Sequence, residues 1–251
     1  MMKQLLIITM LILACGFATA TNITYVKHQA SDFGLLGSED FKSMSQGSDI
    51  DSDGNNDVLI GLPALNGSYG GLMIVDFMDN GSVDYFMIHD YTNITEWNLT
   101  NSGTLGNDVD NIGDWDGNGV DDFVVASWNY NPAVAPDFYL GSVLLVELDT
   151  DYSILDITEL SATNGMIDNN SRSAFDRFGS CVTNLGDIDN DGVNDIAVGR
   201  DGTGLDESLY ILRMNSDFSV KDYEVINDTD YNGTAITQFA IQGCQGVGDI
   251  N

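Results

Sequence analysis

Short apolar stretches recur along this chain, separated by polar segments rich in Gly, Asn and Asp. Several of the stretches partly alternate apolar and polar side chains, which is typical of half-buried β-strands. No segment sustains the three-to-four-residue apolar spacing of an amphipathic helix. The pattern therefore predicts an almost entirely β protein.

The predicted strands form four series that recur at matching places along the chain. The first series precedes an acidic loop and comprises Phe41–Gly47, Leu105–Gly113 and Phe178–Gly186. The second series follows the loop and comprises Val58–Gly61, Phe123–Ala126 and Ile196–Gly199. The third series comprises Gly71–Phe77, Ser142–Leu148 and Ser208–Met214, and the fourth comprises Val83–Ile88, Ser153–Leu160 and Val220–Ile226. Asn80-Gly81, between two strands of the first unit, is a strong hairpin signal.

Each unit contains a nine-residue loop with acidic or amide side chains at positions 1, 3, 5 and 9 and Gly at position 6. These loops begin at Asp49, Asp114 and Asp187, and a fourth begins at Asp249, shortly before the sequence ends. Their starts are 65, 73 and 62 residues apart. A period of this length fits four strands and their connections.

A four-stranded unit that repeats at a fixed period predicts a β-propeller. The expected blades are residues 41–104, 105–177 and 178–238, with the start of a fourth at 239–251. Three blades and part of a fourth make an incomplete ring, so the chain is expected to be a fragment of a longer protein or a truncated gene product. The alternative is a row of separate sandwiches, although about 65 residues give each one a thin core. Within the N-terminal segment 21–40, Thr24–His28 is a candidate closing strand.

Residues 1–20 have the pattern of a secretory signal peptide. Lys3 gives the positive start, Leu5–Leu13 the apolar core and Ala18-Thr19-Ala20 the cleavage site. A bacterial lipoprotein signal with Cys15 as the acylated residue is the alternative. Both readings predict a secreted or cell-surface protein, and they leave its membrane attachment open.

The formal net charge is -31, and 33 of the 39 acidic residues are Asp. Asp favours turns and metal-binding loops, whereas exposed helices favour Glu. Salt adaptation is an alternative source of part of this charge. The acidity argues against a nucleic-acid partner, which requires a basic surface. Cys181 and Cys244 are expected to occupy similar strand positions as buried thiols, with a disulfide as the alternative.

The units resemble the FG-GAP repeats of the integrin α-chain propeller and its secreted relatives. Leu105-Gly106 and Phe178-Gly179 stand nine residues before an acidic loop, as the F-G signature does. Val58-Leu59-Ile60-Gly61-Leu62-Pro63 resembles the strand that ends in G-A-P. The resemblance covers nearly all of residues 41–251.

The resemblance implies one structural calcium ion in each loop, bound by side chains at positions 1, 3, 5 and 9 and by the carbonyl of position 7. The first site would comprise Asp49, Asp51, Asp53, Asn55 and Asp57. The second would comprise Asp114, Asp116, Asn118, Val120 and Asp122, and the third Asp187, Asp189, Asp191, Val193 and Asp195. Asp249 and Asn251 would begin a fourth.

The loops are not EF-hands, which require Glu at position 12 and flanking helices. That position holds Ile60, Val125 or Val198, each within a predicted strand. Asx-rich turns without metal remain the alternative. Because Asn118 replaces one carboxylate, the second site is expected to bind calcium most weakly.

The resemblance implies recognition of an extracellular protein or glycan rather than catalysis. The longest connections, His89–Thr104 and Ser161–Arg177, are the natural ligand loops. The alternative is an accessory propeller domain of a secreted hydrolase or polysaccharide lyase. His28 and His89 lie near no nucleophile motif. N-glycosylation sequons, which would be used in a eukaryote, begin at Asn22, Asn66, Asn80, Asn93, Asn98, Asn169, Asn227 and Asn232.

Overall fold

The computed structural model describes residues 28, 30–35, 41–90, 103–129, 140–161, 177–202, 207–227 and 243–246. These residues form twelve strands in three four-stranded antiparallel sheets, which confirms the all-β prediction. A short 3-10 helix, Ala30–Phe33, precedes the first sheet. In the described part of the chain, no helix has the length and apolar character needed to cross a bilayer.

Every sheet is a meander, with its strands hydrogen-bonded in sequence order. The first sheet comprises β1 (Met44–Gln46), β2 (Val58–Gly61), β3 (Gly71–Phe77) and β4 (Val83–Asp90). The second comprises β5 (Asp108–Gly113), β6 (Asp122–Ser127), β7 (Ser142–Leu148) and β8 (Ile154–Ser161). The third comprises β9 (Phe178–Gly186), β10 (Asp195–Arg200), β11 (Ser208–Met214) and β12 (Val220–Asn227).

The first strand of a unit is shorter than predicted in two sheets. Phe41 lies outside β1 and packs against the core of the first sheet. Leu105 lies outside β5 and forms an isolated parallel bridge with Gly70 of the preceding sheet. Leu105 therefore pairs with the preceding sheet instead of extending β5.

Residues Leu65–Ser68, between β2 and β3, have the hydrogen bonding of a short helix but not its backbone angles. Asn66 and Gly67 within it have positive φ angles of 52° and 77°. The segment is therefore a tight turn, in agreement with the absence of predicted helices.

The sheets pack side by side through their apolar faces, as propeller blades do. One core cluster joins the first and second sheets through residues such as Leu59, Ile74 and Phe123. A second cluster joins the second and third sheets through residues such as Leu145 and Ile196. The first strands β1, β5 and β9 lie next to one another. The three described sheets leave the ring open.

Three hairpins of the same form join the third and fourth strands of the sheets. The residue at the tip of each hairpin has a positive φ: Gly81 at 79°, Tyr152 at 66° and Phe218 at 61°. In all three, its N–H donates to the carbonyl three residues earlier. The hairpin predicted at Asn80-Gly81 is therefore confirmed, and the two aromatic tips adopt the same conformation.

The residue pairs of the F-G signature lock one sheet to the preceding one. Leu105 and Phe178 are fully buried in the cores between sheets. Gly106 has φ of +85°, and a Cβ on it would lie 2.4 Å from the Gly71 oxygen. A side chain is excluded here both by the backbone conformation and by the close approach of the neighbouring sheet.

Cys181 and Cys244 form a disulfide with a Cα–Cα distance of 5.7 Å, so the prediction of buried thiols is wrong. The cysteines are 63 residues apart, which is close to the repeat period, and residues at this spacing become neighbours on adjacent units. Ser43 and Asp108 are the residues of the first two units equivalent to Cys181, and the Ser43 Oγ donates to Asp108 Oδ1 at 2.6 Å. The third unit thus has a covalent bond at the position where the first two units have a polar contact.

The candidate closing strand Thr24–His28 lies outside the described residues except for His28. The Nε2 atom of His28 lies 3.0 Å from the Gly81 carbonyl oxygen. His89, at the end of β4, makes the same contact with the Tyr152 carbonyl oxygen at 2.8 Å. His28 therefore contacts the hairpin tip of the first sheet in the same way as His89, on the fourth strand of the first sheet, contacts the hairpin tip of the second sheet.

Replacing Gly106 with Ala is expected to lower the free energy of unfolding by about 2–4 kcal/mol, from the positive φ and the overpacking together. Gly67→Ala is the matched control, because Gly67 also has positive φ but faces open space. It should cost only about 1 kcal/mol. Urea denaturation of both variants measures the difference, and equal losses would contradict the close contact between sheets.

Candidate metal centres

Each acidic loop is folded by the carboxylate at its first position. The two oxygens of Asp49 accept hydrogen bonds from the amides of Asp53 and Gly54, both at 2.9 Å. Asp187 repeats this with the amides of Asp191 and Gly192, at 3.0 and 2.8 Å. The Gly at position 6 has a positive φ in all three loops, which the reversal of the chain requires.

In the second loop the same role falls to Asp114, with a small difference in register. Its oxygens accept from the amides of Gly117 and Gly119, at 2.8 and 3.0 Å. The loop therefore closes around the first side chain as the other two do. This local geometry follows from the short reach of an Asp side chain to amides three to five residues ahead.

The side chains at position 9 are buried where the loop joins the second strand. Asp57, Asp122 and Asp195 are at most 1% exposed. In each, Oδ2 accepts the amide of loop position 2, at 2.7–2.9 Å. These aspartates therefore fasten the start of the loop to the sheet.

The second oxygen of the buried aspartate reaches another element. Oδ1 of Asp195 accepts from the Met214 amide at 2.9 Å, and Oδ1 of Asp122 accepts from the Leu148 amide at 3.2 Å. Both amides belong to the last residue of a third strand. Oδ1 of Asp57 instead accepts from the Tyr152 hydroxyl of the next sheet, at 3.2 Å.

The carboxylate oxygens of each loop converge closely enough to hold a metal ion. Three groups have oxygens within 4.8 Å of one another: Asp49, Asp51 and Asp53; Asp114, Asp116 and Asp122; and Asp187, Asp189 and Asp195. The structure thus brings together most of the side chains proposed as ligands. Asp249 and Asn251, the start of a fourth site, lie outside the described residues.

The remaining predicted ligands lie in the loops with other partners. The position-7 amides of Asn55, Val120 and Val193 donate to the position-5 side chains Asp53, Asn118 and Asp191, at 2.7–3.0 Å. Asn118 also donates from Nδ2 to the Leu148 carbonyl at 2.7 Å. Its amide thus ties the second loop to β7 and leaves only Oδ1 to face the loop.

Burial shifts the protonation of the ninth-position aspartates. Loss of water raises the pKa of Asp57 to about 7 and that of Asp122 to about 6, although backbone hydrogen bonds oppose the shift. Burial raises the pKa of Asp195 as well. A cation within the loop would favour the ionised form and offset this cost.

The third and fourth strands place a different charge beside each loop, at equivalent positions. The fourth strand of each sheet has a β-bulge, and its unpaired residue is Asp84, Leu155 or Lys221. On the third strand, the last residue before this register shift is Asp76, Glu147 or Arg213. The neighbours are thus acidic at the first loop and basic at the third.

Lys221, the bulge residue of β12, contacts the acidic side chains of the third loop. Its Nζ atom lies 2.8 Å from Asp189 Oδ2 and 2.7 Å from Asp191 Oδ2. Sequence analysis missed this contact because Lys221 follows the loop by about 30 residues. Comparing the charges at equivalent repeat positions is the signal that could have found it.

The hairpin tip of one sheet covers the loop of the preceding sheet. Tyr152 binds Asp57 through its hydroxyl, and Phe218 packs on Trp115 with ring centroids 4.9 Å apart. Trp115 occupies position 2 of the second loop. The loops are therefore part of the contact between sheets, in addition to closing their own.

No family model matches the chain. A region of 170 residues is 26% identical to mouse Integrin alpha-8. The match covers 65% of this chain and 14% of the integrin subunit, so the chain corresponds to a small part of that relative. This weak similarity and the three four-stranded antiparallel sheets are consistent with an integrin-like propeller.

In metal-free protein, stability is expected to decrease as pH rises. Asp57 and Asp122 bind protons in the folded state up to about pH 7 and 6, whereas in the unfolded chain they ionise near pH 4. The favourable contribution of protonation is therefore present below about pH 4 and is lost as pH rises through the folded pKa values. Denaturant titrations should give a free energy of unfolding about 2–4 kcal/mol lower at about pH 8 than at about pH 5.

Asp57→Asn is the control for this pH dependence, because it keeps the shape of the side chain and removes its titration. Its profile should be flatter than that of the unsubstituted protein. Identical profiles for the two proteins would show that Asp57 titrates at an ordinary pKa.

Proposed function

We propose that this chain is an extracellular calcium-binding β-propeller module that recognises a protein or glycan, with calcium in a structural role. The observation that carries the proposal is the threefold recurrence of one loop geometry. Each loop combines converging carboxylates with a buried ninth-position Asp. Calcium suits such a set because it takes 6–8 oxygen ligands in irregular geometry.

The position of the loops supports a structural role for the metal. Each loop joins the first two strands of its sheet, and the hairpin tip of the next sheet covers it in the two described cases. A cation there would fix both the strands and the contact between sheets. Asn55, Val120 and Val193 would supply main-chain carbonyls, together with the side chains at positions 1, 3, 5 and 9.

Recognition is proposed for the end of the sheets opposite the acidic loops. In an antiparallel meander, the acidic loops and the third-to-fourth-strand hairpins lie at one end of the strands. The connections after the second and fourth strands lie at the other end. The proposed ligand loops His89–Thr104 and Ser161–Arg177 begin there, although residues 91–102 and 162–176 lie outside the described part. Ligand recognition and metal coordination would then occupy opposite ends of the sheets.

The similarity to an integrin α-chain supports adhesion or recognition in preference to catalysis. An exported protein is supported by the disulfide, since disulfides persist in oxidising compartments. Asn66 and Asn80 lie in exposed turns, where a glycosylation enzyme could reach them. The proposed location is therefore the cell surface or the extracellular medium.

Calcium is expected to raise the melting temperature of the chain. At a concentration one hundred times the dissociation constant, one site contributes about 2.7 kcal/mol. This corresponds to an increase of about 5–10 °C in a domain of this size. Scanning calorimetry of metal-free protein with calcium or with EDTA measures the shift.

Magnesium at the same concentration is the control, because it demands near-ideal octahedral geometry and loses its water molecules reluctantly. Its shift should be smaller. Equal melting temperatures with calcium and with EDTA would contradict structural calcium.

Lys221→Met is expected to strengthen calcium binding at the third loop by about three- to tenfold, because the ammonium group competes with the cation for Asp189 and Asp191. Leu155→Met changes the equivalent residue of the second sheet and should leave affinity unchanged. Isothermal titration calorimetry compares the two variants. Weaker binding by Lys221→Met would show that Lys221 supports the site instead of competing for it.

A further inference from the structure

Asp76 is a buried carboxylate without a hydrogen-bond partner. It lies near the end of β3 and is 1% exposed. Neither of its oxygens has a hydrogen-bond partner in the structure. Burying an unpaired polar group costs free energy, and burying an unpaired charge costs more. A side chain in this state therefore indicates a missing binding partner.

Two further carboxylates face Asp76. One oxygen from each of Asp53, Asp76 and Asp84 lies within 4.8 Å of the others. Asp84 is the exposed bulge residue of β4, and Asp53 is position 5 of the first loop. A bulge re-aims a side chain, and here it brings Asp84 to the side of the sheet that carries the loop.

No Lys or Arg neutralises these three carboxylates within the described residues, where the salt bridges involve other acids. Burial and the charges of Asp53, Asp51 and Asp84 raise the pKa of Asp76 to about 6. The equivalent positions of the third sheet carry Arg213 and Lys221, so the requirement for a cation is met there by side chains. The first sheet has acids at both positions.

We propose that Asp53, Asp76 and Asp84 bind a second divalent cation of the calcium type beside the first loop. Asp53 would bridge this ion and the ion of the loop. The inference deepens the proposed calcium binding and rests on it through the shared Asp53. Asp76 and Asp84 do not belong to the group formed by Asp49, Asp51 and Asp53, which favours a separate ion over an added ligand. Water molecules complete its coordination on the exposed side.

The experiment counts calcium ions per chain by equilibrium dialysis with radioactive calcium. Asp76→Asn is expected to bind one ion fewer than the unsubstituted protein. Asp84→Asn should lose the same ion, and because Asp84 is exposed this variant is not expected to impair folding. Glu147→Gln is the matched control at the equivalent position of the second sheet and should retain the full number.

A second readout separates loss of the ion from damage to the fold. In metal-free protein, Asp76→Asn removes a repelling charge, so its melting temperature should rise. With calcium present, the stabilisation by the metal should be smaller than in the unsubstituted protein. A variant that merely misfolds would melt lower in both conditions.

Unchanged calcium counts for Asp76→Asn and Asp84→Asn would overturn the second ion. Reduced affinity with an unchanged count would also overturn it, because Asp76 would then be a ligand of the loop ion. Absence of calcium binding in every protein, including the unsubstituted one, would overturn the proposed function together with this inference.

Discussion

Each sheet buries one aspartate side chain, Asp57, Asp122 or Asp195, at the point where its acidic loop becomes the second strand. Such a carboxylate is stable only if its oxygens are bound, and the amide of loop position 2 binds one of them. The other oxygen binds the third strand or the neighbouring hairpin tip. Asp122 and Asp195 therefore join the loop to the third strand of their own sheet, whereas Asp57 joins the loop to the next sheet. Burial raises the pKa of each of these carboxyl groups, so their protonation depends on pH near neutrality for Asp57 and Asp122.

The parts of the fold that depend on local sequence could be predicted. Gly71–Phe77, Ser142–Leu148 and Ser208–Met214 have the predicted bounds, because turn residues flank each of these apolar stretches. The acidic loops were recognisable because their ligand pattern lies within nine consecutive residues. Contacts between sheets such as Ser43–Asp108 and Asp57–Tyr152 could not be predicted in this way, since these join residues more than sixty positions apart. The disulfide belongs to the same class, because Cys181 lies in β9 and Cys244 lies outside the twelve strands, so the expected similar strand positions are not observed.

The three loops have similar backbones and different electrostatic surroundings. Their internal hydrogen bonds are set by the short Asp and Asn side chains that the nine-residue pattern fixes. Their neighbours on the third and fourth strands are not constrained by that pattern. Asp84 and Lys221 occupy the same bulge position with opposite charges. Loops with the same backbone thus have different electrostatic environments, because the neighbouring charges come from the third and fourth strands.

The disulfide between Cys181 and Cys244 also changes how the chain responds to force. Tension applied to the chain beyond Cys244 passes through the sulfur atoms to Cys181 at the first strand of the third sheet. The residues between them, which include β10, β11 and β12, are bypassed. The third sheet would therefore stay folded under a pull that peels an uncrosslinked sheet strand by strand. The disulfide thus carries tension past most of the third sheet.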